Sequence, residues 1–373
     1  MHDTEELTLT PTRLILARKR LRMTLTALEK VSGISRRSIT AYENGHSAPT
    51  NETLMDLAAA LEVSASFLAG PEVPATQVDN LSFRAMSKLP ATQRDAAASA
   101  ATIAMLIERY LSERFRLPSL NLPSLPQLSP EEAAERVRAD WKLGDGPIPN
   151  MVHLLEANGV RVFSLAADCE SVDAFCTVNQ EDGTPFVFLN MSKSGERGRF
   201  DAAHELGHLV MHVAHRVPHG PEAEKEAQEF AAAFLMPRQS LLRERPFAPS
   251  LPGILRYRTK WRVAAVAFTY RAHDLGLLND WQYRTLIKTL AQMGYRRSES
   301  GGIQRETSLL LGKVLKLQMT KGRSMRELAE VVGISTEELN THLFGLVPVS
   351  VDGRREQDDK MSVRPPLTLV RGG

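Results

Sequence analysis

The segment RFDAAHELGHLVMH, residues 199–212, constrains the fold of this chain more than any other. It places His204, Glu205 and His208 in the spacing HExxH. Positions i and i+4 share one face of an α-helix, so the two imidazoles can bind the same metal ion. Glu205 lies about 100° around the helix from His204, close enough to hold a water molecule on that metal. The pattern predicts a zinc-dependent hydrolytic site with Glu205 as general base, although two surface histidines on an amphipathic helix are the alternative.

A third metal ligand is expected from outside this helix. Each i+4 step drifts by about 40°, so His212 is interpreted as a flanking residue instead of a ligand. The acidic segment PEAEKEAQEF, residues 221–230, predicts a second helix with an alanine- and phenylalanine-rich buried face. Glu224 lies on that face and is the preferred third ligand, with Glu226 in reserve. Gln228, one turn after Glu224, could hydrogen-bond a ligand histidine.

The N-terminal part of the chain concentrates positive charge on short predicted helices. Gly33 ends one of them, because glycine tolerates a left-handed backbone, and Ser35 caps the next. Two short helices joined by such a turn predict a helix-turn-helix, whose second helix enters the major groove of DNA. Between residues 11 and 40 only Glu29 opposes the basic residues, which are Arg13, Arg18, Lys19, Arg20, Arg22, Lys30, Arg36 and Arg37.

The predicted DNA contacts divide into two groups. Arginine can pair with guanine through two hydrogen bonds, and hydroxyls can reach base edges, so the start of the second helix is the predicted reader. Basic residues of the preceding helix and turn are expected nearer the phosphate backbone. A solvated charged face is the alternative, but apolar residues at helical spacing favour DNA binding. The predicted readers are Arg36, Arg37, Ser38 and Thr40, and the predicted backbone contacts are Lys19, Arg20 and Arg22.

Composition limits the remaining possibilities. A chain of 373 residues is expected to form two or three domains, and 43% hydrophobic with 24% charged residues is typical of soluble globular protein. The net charge of +2 means that DNA binding depends on local clustering. Two cysteines are too few for a disulfide scaffold, and no signal peptide is visible, so a reduced, cytoplasmic setting is predicted. No apolar run is long enough to predict a membrane span.

The C-terminal part contains a second possible helix-turn-helix. Residues 306–345 are predicted to be helical, and their LAEVVGIS is similar to LEKVSGIS of the N-terminal part. The next predicted helix, TEELNTHLFG, lacks arginine and lysine and begins with acidic residues. Packing or a dimer contact is therefore favoured over DNA contact. Trp141, Trp261 and Trp281 are expected to be core anchors.

Two parts of the chain resemble known families. RLILARKRLRMT, LEKVSGISRRSITAYENG and TNETLMDLAAALEVSASFLAG resemble the XRE (Cro/cI-like) repressor family over roughly residues 10–70. SVDAFCTV, TPFVFLNMSKSGERGRFDAAHELGHLVMH and AEKEAQEFAAAFLMPR are similar to the ImmA/IrrE family of zinc metallopeptidases over residues 150–240. Residues 257–286 resemble the helical region that follows in longer members of that family.

These resemblances imply a cofactor, a reaction and partners. The second implies a gluzincin-like zinc metalloendopeptidase, with His204, His208 and Glu224 as ligands and Glu205 as the base. Gln228 stands where that family usually has Asp or Asn. The family cleaves a partner repressor in the cytoplasm, which releases stress-response, DNA-repair or mobile-element genes. The first resemblance implies binding to double-stranded operator DNA, and such folds commonly form homodimers on palindromes.

The predicted fold class is α+β and mostly helical. The segment 117–130 is interrupted by prolines and is a predicted linker. Strands at 160–165, 174–178 and 186–190 predict a small sheet, in which 186–190 is either an edge strand that pairs with substrate or a core strand. The predicted units are a helix-turn-helix domain at 1–72, a helical connector and linker at 73–129, a zincin-like metallopeptidase domain with the HExxH helix at 130–295, a C-terminal helical segment at 296–350 and a disordered tail at 351–373.

Two functions are compatible with these features. The favoured hypothesis is a DNA-binding transcriptional regulator with a zinc-dependent endopeptidase domain that cleaves a regulatory protein of the repressor type. The alternative is a repressor or antitoxin whose peptidase-like domain is a non-catalytic sensor or dimerisation domain. No membrane partner is expected. The two hypotheses share the DNA-binding domain and differ at the metal site, because a fold alone does not specify its activity.

Overall fold

The computed structural model describes residues 7–73, 90–165, 172–212, 220–243, 249–295, 301–322, 324–346 and 368–369. Within these ranges the protein is mostly helical with a three-stranded sheet, which confirms the predicted fold class. None of the helices described is both long and apolar enough to cross a membrane. Cys169 and most of the predicted tail lie outside the described residues, and Thr368–Leu369 of that tail form a short strand.

Five short helices form the N-terminal module. Gly33 takes φ 73° at the end of the second helix, and the hydroxyl of Ser35 accepts the amide hydrogen of Ser38 at the start of the third. Leu14, Leu28 and Ile39 are fully buried between the helices. This arrangement confirms the predicted helix-turn-helix. The helices are α1 (Pro11–Arg20), α2 (Leu25–Ser32), α3 (Arg36–Glu43), α4 (Asn51–Ala60) and α5 (Ala65–Leu68).

A long alanine-rich helix and a proline-containing coil connect this module to the central domain. At the end of the coil, Ser129 caps the next helix and forms a capping box with Glu132, which satisfies two of the free amides at the helix start. The elements in this region are α6 (Ala91–Ser112), β1 (Phe115–Arg116), α7 (Pro130–Asp140) and α8 (Met151–Ala157). The β1 strand pairs antiparallel with β5 (Thr368–Leu369).

The central sheet has the strand order β2 (Arg161–Ser164), β4 (Pro185–Leu189), β3 (Ala174–Val178). The β4 strand is parallel to β2 and antiparallel to β3, so it lies in the middle of the sheet. The interpretation of residues 186–190 as an edge strand for substrate is therefore wrong, since both of its edges are already paired. The edge strand nearest the HExxH helix is β3.

The two faces of this sheet belong to different hydrophobic cores. Alternate residues of a strand point to opposite faces. Val187 and Leu189 of β4 face the core of the central domain, whereas Phe186 and Phe188 belong to a second core that also contains residues of α6, of the N-terminal module and of the C-terminal helices. The sheet thus joins the central domain to the other parts of the chain.

Six helices complete the central domain. Trp261 is almost fully buried, as predicted, and Trp141 is partly buried beside Phe234. Trp281 is 74% exposed, so its predicted role as a core anchor is wrong. It is the second residue of its helix, which begins at Asp280. The helices are α9 (Gly195–Met211), α10 (Pro221–Leu235), α11 (Arg238–Arg243), α12 (Leu251–Trp261), α13 (Ala265–Asp274) and α14 (Asp280–Gln292).

The C-terminal module, α15 (Leu309–Thr320), α16 (Met325–Val332) and α17 (Thr336–His342), packs between the N-terminal module and the sheet. Its turn repeats the N-terminal one, with Gly333 at φ 79° and Ser335 accepting from the amide of Glu338. A Cβ on Gly333 would overlap the ring of Phe67, and Glu338 pairs with Arg20. The structure therefore agrees with a packing role for this module.

A coil at residues 301–308 connects the central domain to the C-terminal module. Two buried carboxylates, Glu306 of the coil and Glu156 of α8, make the hydrogen bonds that hold it in place. Glu306 accepts the amide hydrogens of Met151 (2.6 Å) and Val152 (3.2 Å) at the start of α8, and it pairs with Arg199 of α9 at 2.5 Å. At the end of α8, Glu156 accepts the amide hydrogens at the start of α15, Leu309 (3.0 Å) among them. Burial raises the pKa of Glu156 to about 7, although its hydrogen bonds oppose the shift.

Candidate metal centre

Close packing of α9 against α10 creates the candidate metal centre. The buried face of α9 carries small and aliphatic residues, and Gly207 lies where the two helices cross. A Cβ on Gly207 would lie 3.1 Å from the ring of Phe230 and 3.2 Å from the Cα of Ala227. Glycine inside a helix lowers its stability, but here it permits a closer approach than alanine would. This approach brings α10 within reach of the histidines.

Three predicted ligand side chains meet at this crossing. The Nε2 atoms of His204 and His208 are 3.1 Å apart, and each lies 3.4 Å from a carboxylate oxygen of Glu224. Nitrogen and oxygen ligands at about 2.0–2.1 Å from a tetrahedral zinc ion are about 3.3 Å apart. The three spacings are close to that value, so both the donor set and its geometry fit zinc. His208 is fully buried, which leaves the group accessible mainly from the side of His204.

The charges around these atoms favour a cation. Burial would raise the pKa of Glu224, but hydrogen bonds and charges from His204 and His208 hold it well below its usual range. Burial likewise opposes the charged form of His204, yet the carboxylates of Glu224, Glu205 and Asp201 raise its pKa. Three carboxylates therefore act on one imidazole. The same negative potential stabilises a divalent ion.

Glu205 is buried one residue beyond His204 and on the side of β3. It raises the pKa of the Cys176 thiol, which burial raises most. The Oε2 atom of Glu205 has no hydrogen-bond partner among the described residues. A buried carboxylate oxygen without a donor costs free energy, so such an atom indicates a water molecule or a reacting group at this position.

A second set of contacts continues from His208 away from the candidate metal. The Nδ1 atoms of His208 and His212 are 3.0 Å apart, and Nε2 of His212 lies 2.9 Å from Glu226. Glu226, the reserve ligand, therefore faces His212 and is not part of the three-residue group. The interpretation of His212 as a flanking residue missed this contact, although the repeated i+4 spacing from His204 signals it.

Gln228 does not make the hydrogen bond expected of it. Its side chain is exposed, and no bond from it to a histidine is present in the part of the chain that the structure describes. The reason is geometric, because the step from Glu224 to Gln228 turns about 40° further around α10. One ligand histidine, His208, instead has His212 at its second nitrogen, with the two Nδ1 atoms 3.0 Å apart.

The candidate DNA surface is the start of α3. Arg36 and Arg37 are exposed there. Ser38 and Thr40 are partly buried, and their hydroxyls already have partners within the module, Ser35 at 2.9 Å and the carbonyl of Arg36 at 2.9 Å. The two arginines are therefore the side chains of this group with the greatest freedom to reach a base.

Two of the predicted phosphate contacts form ion pairs within the protein. Arg20 donates to the carbonyl of Leu61 at 2.6 Å and pairs with Glu338, and its side chain is 8% exposed. Lys19 pairs with Asp95 of α6 at 3.0 Å. The prediction for Arg20 is corrected by these contacts, because its side chain is buried against the C-terminal module. Lys19 stays a predicted phosphate contact, since its side chain is 37% exposed. Arg22 lies at the turn after α1 with φ 56° and is partly buried.

Comparison with models of protein families gives two matches. Residues 14–68 match the helix-turn-helix model, and residues 155–273 match the model of peptidase family M78, described as the IrrE N-terminal-like domain. The first range contains most of α1 and all of α2 to α5, and the second contains the sheet, α9 and α10. Comparison with curated proteins gave no match.

Proposed function

Because the chain joins an XRE-type helix-turn-helix domain to an IrrE-like, metallopeptidase-like domain, we propose that it is a DNA-binding transcriptional regulator with a zinc-dependent endopeptidase activity. The peptidase substrate is a regulatory protein of the repressor type, in a stress or mobile-element response. Because its operator DNA and such a substrate are found in the cytoplasm, we expect the protein to act there. Binding as a homodimer to a palindromic operator is part of the proposal.

The observation that carries the enzymatic part is the geometry of the three candidate ligands. Two Nε2 atoms and a carboxylate lie 3.1–3.4 Å from one another, on two helices that a glycine allows to pack closely. Among the described residues this is the one group of three histidine, cysteine or acidic side chains that could hold a metal. Three protein ligands leave a fourth position open, as in catalytic zinc sites.

The residues around this group suit peptide hydrolysis. A zinc ion bound by His204, His208 and Glu224 would polarise the scissile carbonyl and acidify the attacking water. Oε2 of Glu205, which has no partner among the described residues, takes the proton of that water and returns it to the leaving amine. Burial of Glu205 keeps bulk water from competing for this carboxylate.

The substrate is held by main-chain hydrogen bonds. The β3 strand (Ala174–Val178) lies at the edge of the sheet and packs against the HExxH helix. An extended peptide adds to such an edge as a further strand, so a main chain bound there runs past Glu205. This mode requires an unfolded segment of the substrate, which favours loops and linkers over helices as cleavage sites.

DNA binding is tested by Arg37→Ala. Arg37 is exposed at the start of α3, and loss of a bidentate contact to guanine is expected to weaken operator binding by about 1–3 kcal/mol and to relax selectivity at one base pair. The measurement is a gel-shift titration on a duplex selected by the wild-type protein from a random pool. Arg326→Ala, an exposed arginine of α16, is the matched control and should bind as the wild type does. Unchanged affinity and selectivity in Arg37→Ala would exclude α3 as the reading helix.

A further inference from the structure

His212 follows the last residue of α9 and is 2% exposed, yet it is not one of the three candidate ligands. Its ring is held from both sides. Nδ1 lies 3.0 Å from Nδ1 of His208, and Nε2 lies 2.9 Å from a carboxylate oxygen of Glu226. Glu226 is on α10, two residues after Glu224. The same two helices are therefore joined twice, once at the ligand group and once by His212.

The direction of these hydrogen bonds is fixed by the ligand role of His208. Its Nε2 faces Glu224 and His204, and a nitrogen that binds a metal must present its lone pair. The proton of a neutral His208 is then on Nδ1, which lies 3.0 Å from Nδ1 of His212 and can donate to it. Nδ1 of His212 must accept, so the proton of His212 is on Nε2 and is donated to Glu226. One arrangement of protons satisfies all three residues.

We propose that His212 and Glu226 are positioning residues that hold the ring of His208 and fix its tautomer for metal binding. This inference rests on the proposed metal site. Histidine ligands commonly donate their second N–H to a carboxylate or carbonyl, which orients the ring and raises its basicity. Here an imidazole stands between the ligand and the carboxylate, so the carboxylate of Glu226 acts on His208 through His212.

A role limited to packing does not account for the geometry. A side chain that only filled space at the end of α9 would need no polar partner, but both ring nitrogens of His212 lie within hydrogen-bond distance of one. Glu226 itself is 39% exposed and could be fully hydrated, yet its carboxylate turns towards His212. Packing alone does not require the carboxylate of Glu226 to point at the ring of His212.

The test compares the zinc affinity of two variants at the same position. Leucine at residue 212 keeps an apolar side chain there and removes the acceptor, so His212→Leu is expected to bind zinc about 10- to 100-fold more weakly. Asparagine places an amide oxygen near the position of Nδ1, and His212→Asn should recover most of that loss. Gln228→Ala, an exposed change on α10, is the control and should match the wild type. Affinity is measured by competition with a chromophoric chelator.

The second readout is the tautomer of each ring in the zinc-loaded protein, from long-range proton–nitrogen correlation spectra. The wild type should show His208 protonated at Nδ1 and His212 protonated at Nε2. His212→Leu with wild-type zinc affinity, or a His212 protonated at Nδ1, would overturn the positioning role and leave the metal centre in place. A wild-type protein that binds no zinc would overturn both.

Discussion

Glu205→Gln is expected to slow peptide hydrolysis sharply and to leave zinc binding intact. The amide has nearly the shape of the carboxylate, so the packing of α9 is kept, and the three candidate ligands are untouched. An amide cannot accept a proton from water at neutral pH, so the rate of cleavage should fall by about 10²- to 10⁴-fold. The measurement is cleavage of a quenched-fluorescent peptide library by zinc-loaded protein.

The control for this change is Glu229→Gln, which removes a carboxylate from the exposed side of α10 and should leave the rate unchanged. Equal zinc-dependent rates in Glu205→Gln and the wild type would contradict the general-base role. Zinc binding without cleavage of any peptide or repressor-type protein by the wild type would instead support the alternative, a regulator whose peptidase-like domain is a sensor.

Glu306→Ala is expected to destabilise the fold by about 3–5 kcal/mol, because it leaves the guanidinium of Arg199 buried without its counter-charge. The side chain of Arg199 is fully buried, and burial lowers its pKa while the charge of Glu306 opposes that shift. The same change removes the acceptor of two amide hydrogens at the start of α8. The measurement is urea unfolding followed by circular dichroism.

Two further variants separate the charge effect from the loss of a side chain. Glu330→Ala breaks an exposed pair with Arg326, and its effect should be within about 0.5 kcal/mol. The double variant Arg199→Met/Glu306→Met removes both charges and should recover part of the stability lost in Glu306→Ala. A Glu306→Ala protein as stable as Glu330→Ala would show that Arg199 finds another partner or water.

Local signals in the sequence were sufficient to predict where helices begin and end. The turn between α2 and α3 follows from one glycine with positive φ and one serine cap, and both act within four residues of their own position. The i, i+4 spacing of His204 and His208 is equally local, since it requires only that the segment be helical. The fold class and the two family resemblances were predictable for the same reason.

Contacts between distant residues were not predictable. The order of the strands depends on which edges pair, and nothing in residues 186–190 shows that β2 and β3 both reach them. Arg20 has the charge of a DNA contact, but its partner Glu338 lies 318 residues away. The role of Glu224 as a ligand was inferred from the buried face of a helix and stays a proposal.

The contacts of His212 show a different limit of prediction from sequence spacing. The 40° rotation at each i+4 step predicts that His212 does not share a metal position with His204 and His208. In the structure its Nε2 faces Glu226 instead. The same rotation places the ring of His212 beside His208, with the Nδ1 atoms of the two rings 3.0 Å apart. A pattern can therefore place a residue outside a candidate ligand group and still fail to show that it contacts a member of that group.

The most direct test of the metal centre is the zinc content of the purified protein after reconstitution and removal of free metal. Elemental analysis should give a stoichiometric amount of zinc for the wild type and none for His204→Ala/His208→Ala, with both proteins folded by circular dichroism. A wild-type protein free of zinc, or a double variant that keeps it, would contradict the account of this site.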